Sequence, residues 1–205
     1  MQRKLPTSSS PTSIQASGRR ITPFRCFAIT VLSLIVVAGL IVLIFYLVVR
    51  PVPFTYSVDD ARIHDYNISS SDELNATFDL ALVSDNPNRH VSVYYDSIAV
   101  AVWYDGQMLA FAEPPSFYQP KMNATRLVVL AAARGLPLLG AVAEGIKRDR
   151  SAGEVGLEVR VRAWVRFKVG VAKTRHYKLR AYCSPVVVRF PAPAVFQRTY
   201  CDVDV

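Results

Sequence analysis

The chain has 205 residues, 51% of them hydrophobic, and carries 24 Lys and Arg against 16 Asp and Glu, a formal net charge of +8. The basic excess does not describe a nucleic-acid-binding domain: five of the positive charges lie in residues 1–25 and one is Arg50, and beyond it 18 basic residues face 16 acidic ones. Residues 51–205 are enough for one domain built around one core.

Residues 1–25 hold Arg3, Lys4, Arg19, Arg20 and Arg25 and no acid. The Ser-, Thr- and Pro-rich stretch between these bases has little to bury, which predicts a disordered basic tail over 1–25. Ser10-Pro11 and Thr22-Pro23 match proline-directed phosphorylation dipeptides, a frequent pattern that carries little weight. Cys26–Val49 then run for 24 residues without a charge. At ~1.5 Å per residue a helix of that length spans about 35 Å, enough to cross a hydrocarbon core of about 30 Å. A cleaved signal peptide has a shorter apolar core and a small-residue cleavage site, and Tyr46-Leu47-Val48-Val49-Arg50 offers none. The run therefore reads as a transmembrane helix over 26–49.

Basic residues precede the helix, whereas Asp59 and Asp60 follow soon after Arg50. Positive charge near a span stays cytosolic, so the tail is expected in the cytosol, against anionic inner-leaflet lipid, and residues 50–205 outside. The plan is single-pass, type II. The distal segment has three N-glycosylation sequons, at Asn67, Asn75 and Asn123, in a chain with only five Asn. Cys183 and Cys201 also lie there, and an oxidising compartment would join them in a disulfide. Cys26, at the cytosolic membrane edge, reads equally as a free thiol, a palmitoylation candidate or an ordinary apolar residue.

Pro51 and Pro53 end the helix and open a short stiff stalk. Period-two patterning follows. Leu74–Val83 alternates, with Leu74, Ala76, Phe78, Leu80 and Leu82 on one face; Ser92–Tyr104 is apolar and aromatic, and Asp105-Gly106 supplies a hairpin turn into Gln107–Ala112. Thr125–Ala131 reads as a strand, while Leu138, Leu139, Val142 and Ile146 give Gly135–Arg150 a helical spacing with basic residues at its end. The cleanest alternation is Glu158–Val169, followed by strands at His176–Cys183 and Val186–Arg189. Seven or so short strands with one short helix predict a mainly β fold, an antiparallel β-sandwich of two sheets with the helix over an end or an edge.

Charge is uneven within the domain: residues 51–120 have a net charge of −8 and residues 121–205 of +10. Acidic and basic strands could lie side by side and cancel. Alternatively Arg160, Arg162, Arg166, Lys168, Lys178 and Arg180 form a basic sheet face toward anionic lipid or wall polysaccharide.

Asn86-Pro87-Asn88 is followed by Ser92-Val93-Tyr94-Tyr95-Asp96, then Trp103-Tyr104-Asp105-Gly106-Gln107, then Phe117-Tyr118-Gln119 and the Asn123 sequon. This ordered set resembles the plant harpin-induced-like and non-race-specific-disease-resistance-like proteins, a membrane branch of the late-embryogenesis-abundant group 2 family, over nearly the whole chain after residue 25. Pro120 departs from the Gly expected after Phe-Tyr-Gln. The chain has neither Asn-Gly-Asp nor Arg-Gly-Asp to carry an integrin-like role. The resemblance implies a fibronectin type III-like sandwich (immunoglobulin-like in its general plan), a role in pathogen and stress responses at the plasma membrane, and no catalytic residues. The motif residues also have plain structural readings. Asn86-Pro87-Asn88 is a turn, and Tyr94, Tyr95, Trp103, Phe117 and Tyr118 suit half-buried sheet faces.

Type II topology is also the plan of Golgi glycosyltransferases, and Asp202-Val203-Asp204 matches their Asp-x-Asp motif. The motif lies at the end of this chain, however, and reads better as a polar-edged last strand. His64, His90 and His176 lack metal-ligand spacing, and no glycine-rich loop follows a strand. The expectation is a non-enzyme without metal or cofactor, whose partners are the bilayer and a protein or wall component. Anionic lipid is the alternative, and nucleic acid is not expected.

Overall fold

The computed structural model describes residues 23–49, 52–190 and 195–205. Of the tail expected to be disordered over 1–25, residues 1–22 lie outside the described residues, as do Arg50 and Pro51, and residues 23–25 are helical. The chain divides into an apolar helix and a β domain that begins at Val49. Helix α1 is Pro23–Val49, 27 residues, and so starts three residues ahead of the uncharged run. Proline is tolerated in that first turn because its missing N–H has no intrahelical partner there. Phe24–Ile44 has a mean hydropathy of 3.0 and is long and apolar enough to cross a membrane. The Thr30 hydroxyl donates to the Cys26 carbonyl at 2.9 Å, so its polar group is satisfied within the helix.

The distal domain is antiparallel throughout. Its strands are β1 Thr55–Ile68, β2 Glu73–Asn86, β3 Val91–Tyr104, β4 Gln107–Ala112, β5 Phe117–Gln119, β6 Asn123–Pro137, β7 Glu154–Val169, β8 Ala172–Lys173, β9 Tyr177–Arg189, β10 Thr199–Tyr200 and β11 Asp202–Asp204. Helix α2, Gly140–Ala152, lies between β6 and β7. The hydrogen-bonded path runs β10-β1-β2-β6-β4-β3-β7-β9-β11, with β5 on β3 and β8 on β7. The mainly β, antiparallel sandwich expected from the alternation is borne out, but its two layers are not separate sheets. One layer is β10-β1-β2-β6 and the other β5-β3-β7-β9-β11, and β4 joins them, pairing along β3 and touching β6 at Phe111 opposite Ala132. At the far edge the chain's last residues close the wrap: β10 pairs with β1 and β11 with β9, with only Cys201 between them.

Between the layers the alternating positions interlock. Leu74, Phe78 and Leu80 of β2, Val93, Val100 and Val102 of β3, Val155, Leu157 and Val159 of β7, and Leu179 and Val186 of β9 are fully buried. Burial of such side chains contributes roughly 1.5–3 kcal/mol each before conformational entropy is subtracted. Helix α2 adds Val142, Ala143 and Ile146 to the same core and packs mainly on β7. It ends at Gly153, whose φ of +96° a residue with a Cβ adopts only under strain.

Several boundaries differ from the sequence reading. Among the described residues there are eleven strands, several of them 13–16 residues long, rather than seven or so short ones. Strand β1, which begins at Thr55 soon after Pro53, was not among the expected strands. The helix begins at Gly140: Gly135–Pro137 finish β6, with Gly135 at φ +57°, while Leu138 is buried and Leu139 exposed ahead of α2. The expected pair His176–Cys183 and Val186–Arg189 is one strand, β9, running through a cis Ser184-Pro185 bond.

Candidate functional site

Asn86-Pro87-Asn88 is a buried clamp at the end of the sandwich where the chain enters it. Asn86 is fully buried and Asn88 nearly so. The Asn88 side chain makes a closed pair with the backbone of Val52: Nδ2 donates to the Val52 carbonyl at 2.8 Å, and the Val52 N–H donates to Oδ1 at 2.8 Å. Asn86 Nδ2 donates to the carbonyls of Val91 and Pro120, at 2.9 and 3.0 Å, and its Oδ1 accepts from the Asn88 backbone at 3.1 Å. Two amide side chains thus join the entry segment, the β2–β3 turn and the approach to β6. Only residues that both donate and accept along a short planar group can do this.

Next to the clamp lies a polar network that the sequence did not disclose. Gln119, fully buried, donates from Nε2 to the carbonyls of Ser84 and Asn123, at 2.8 and 2.9 Å, and its Oε1 accepts from Ser84 Oγ at 3.1 Å and from the Tyr95 hydroxyl at 3.3 Å. The Tyr95 hydroxyl also meets that of Tyr56. Tyr95 is 1% exposed, not half-buried as its amphipathic character suggested, and its ring stacks on Phe117 at 4.2 Å. Burial pushes both phenols above their ordinary value, Tyr56 strongly. These groups therefore stay neutral and serve as hydrogen-bond couplers rather than acids. The network is satisfied from within. A signal was available in principle: Tyr56, Tyr95 and Gln119 are the polar-tipped members of otherwise apolar inward positions.

The six basic residues singled out in the sequence do share one outward face. Across β7 and β9, Arg160 is opposite Tyr182, Arg162 opposite Arg180, and Trp164 opposite Lys178; Tyr94 of β3 is opposite Arg166, and Ser92 opposite Lys168. The charges are not equivalent. Arg160 pairs with Glu158 at 2.8 Å and lies 4.2 Å above the Trp103 ring. Arg166 forks onto Asp96, its Nε donating to Oδ2 at 2.7 Å, and its guanidinium is 5.8 Å from the Tyr94 ring, which in turn packs on Tyr118 at 4.7 Å. Among the described residues Arg162, Lys168, Lys178 and Arg180 make no ion pair. Arg166 is thus neutralised across strands by Asp96 and Arg160 within its own strand by Glu158, while the other four cations make no ion pair among the described residues.

The hydrogen bonds from Arg166 hold the Asp96 carboxyl below its ordinary value, against an opposing push from burial. A carboxylate with a depressed folded-state value contributes stability above its unfolded value, near 4, and loses it as pH falls through the folded value. Asp96→Asn should therefore weaken the domain at neutral pH and flatten the acid limb of its stability profile. Thermal melts across pH 2–7 check this; parallel native and variant profiles would contradict it.

All three sequon asparagines are exposed. Asn67 and Asn75 are direct neighbours on β1 and β2, and Asn123 opens β6 opposite Asn86. Cys183 and Cys201 are joined by a disulfide between β9 and the β10–β11 junction. Asp202–Asp204 form the short last strand on β9. Among the described residues no group of three or more His, Cys, Asp or Glu is placed to hold a metal.

The chain thus joins an apolar helix to a β-sandwich with a buried polar network and a basic outward face. Comparison with known proteins makes the class specific. The family model of the late embryogenesis abundant protein, LEA_2, matches residues 81–183. An uncharacterized Arabidopsis thaliana protein, At1g08160, is 30% identical over 90% of this chain and 85% of its own length. NDR1/HIN1-like protein 10 of the same plant is 32% identical over 77% of this chain and 70% of its own length. The solution structure of At1g01470 from Arabidopsis thaliana covers 70% of this chain and 85% of its own, at 15% identity and a TM-score of 0.35. The chain belongs to the LEA_2 family, and its relatives include the NDR1/HIN1-like proteins.

Proposed function

We propose that this is a non-enzymatic plant defence and stress protein of the plasma membrane, anchored by α1 with its tail cytosolic, that presents the sandwich outside the cell for contact with a protein or wall component. The observation that supports this reading best is the exposure of Asn67, Asn75 and Asn123, all three in the domain that follows the apolar helix. A sequon is modified only on the lumenal or extracellular side, so the domain that carries all three has one consistent address. The basic flank of α1 and the Cys183–Cys201 pair favour the same sidedness.

Endoglycosidase treatment of the protein from plant membranes should lower its apparent mass in up to three steps, and cytosolic protease should clip the tail in sealed vesicles. An unshifted mass together with a protected tail would reverse the topology. A second reading, a lipid-contacting sandwich at a membrane junction or plasmodesma, is favoured by one observation, the free cations Arg162, Lys168, Lys178 and Arg180. Binding of added vesicles that ignores their anionic lipid content would count against it.

A further inference from the structure

We infer that the outward face of β7 and β9 is a binding surface for a linear polyuronate, an acidic polysaccharide with one carboxylate per sugar; this rests on the extracellular reading above. Outward positions on a strand recur about every 6.7 Å and neighbouring strands lie about 4.8 Å apart, so the face is a small lattice of side chains. At its centre is Trp164, 44% exposed, with Lys178 Nζ 5.0 Å from its ring. Arg162 and Arg180 form the next row and Lys178 shares the row of Trp164, all three exposed and without an ion pair among the described residues. These residues line one open groove, with Ser97 and Glu113 at its rim.

Each group matches a part of an acidic sugar. The flat C–H face of a pyranose packs on an indole; a guanidinium fork takes a carboxylate through two parallel N–H donors; Ser97 and Glu113 can bond hydroxyls. Arg160 and Arg166 are already committed to Glu158 and Asp96, which leaves Arg162, Lys178 and Arg180 as the unpaired cations of the two rows at Trp164.

A bilayer fits this face less well. Glu113 stands at the groove, and Asp202 and Asp204 lie beside Arg180 and Tyr182 on β11. A uniformly anionic lipid surface would press its charge against those acids. A polyuronate places its carboxylates at intervals and offers hydroxyls between them.

The test uses full-length protein in phosphatidylcholine nanodiscs and immobilised polygalacturonate. Binding is expected, weaker in raised salt, and weaker by at least about tenfold in the triple variant R162Q/K178Q/R180Q, because screened surface charges steer and hold polyanions. Trp164→Ala should lose several-fold, and fully methyl-esterified polymer should bind far less than the free acid. All four side chains are exposed, so far-UV circular dichroism and the melting midpoint should match the native protein. Unchanged binding by the triple variant, or equal binding of the methyl ester, overturns the proposal. So does retention of phosphatidylserine vesicles through the same three residues without polygalacturonate binding. Occupied sequons with no polymer binding would refute this inference alone, whereas unoccupied sequons with binding intact would remove the extracellular reading instead.

Discussion

Gln119→Ala should lower the stability of the sandwich by about 3 kcal/mol and its melting midpoint by roughly 6–12 °C. One side chain accounts for so much because four groups, three of them buried, lose a hydrogen-bond partner at once. The carbonyls of Ser84 and Asn123 lose a donor, while Ser84 Oγ and the Tyr95 hydroxyl lose an acceptor. No water reaches a fully buried position to replace them without a new cavity. Gln119→Glu separates geometry from chemistry: it keeps the volume and the acceptor, removes the amide donor and sets a carboxylate against two carbonyls, so it should be no better than alanine. Thermal melts of full-length protein in detergent, followed by near-UV circular dichroism, read both variants. A loss below about 1 kcal/mol in each would show that the network does not carry β5 and β6.

The second large effect is expected at the other edge. Replacing Cys183 and Cys201 together by alanine should cost about 3 kcal/mol, because the bridge closes a short loop in the unfolded chain. The two residues are 18 apart in sequence, and the segment they close holds β10, which pairs with β1. Reductant should move the native protein to the midpoint of the double variant and leave the variant unchanged. Coincident melts of oxidised and reduced native protein would refute the prediction.

The long strands were legible wherever the period-two pattern ran unbroken. Glu158–Val169 alternates because β7 is central, with core on one side and solvent on the other. β1 was missed because its alternation is interrupted. The register shifts between Val58 and Asp60 and again between His64 and Asn67, and each shift turns the following residues onto the opposite face. Gly135–Arg150 read as helix because Leu138 and Leu139 extended the spacing of Val142 and Ile146, although Leu138 is buried from a loop.

The family motifs were legible as an order of residues but not as an arrangement. Gln119 and its neighbour Pro120 stand far from Asn86 and Asn88 in the chain and beside them in space. Only the pairing of β2 with β6 and of β3 with β5 brings them there. The basic face was legible from β7 and β9 alone, since alternation fixes which side each residue takes. Which of its charges are free was not, because Asp96 reaches Arg166 from another strand.

The clamp at Asn88 has a mechanical consequence. In the proposed arrangement, with the helix anchored and the sandwich bound to a partner, load would enter the sandwich through Val52. Without Asn88 the pull would peel β1 from β2 rung by rung, starting at Thr55, with little resistance at each step. The paired bonds of Asn88 to Val52 divert it into the β2–β3 turn, and Asn86 passes it on to Pro120 beside β6. Tension at Val52 would thus be shared by the β2–β3 turn and the approach to β6 as well as by β1.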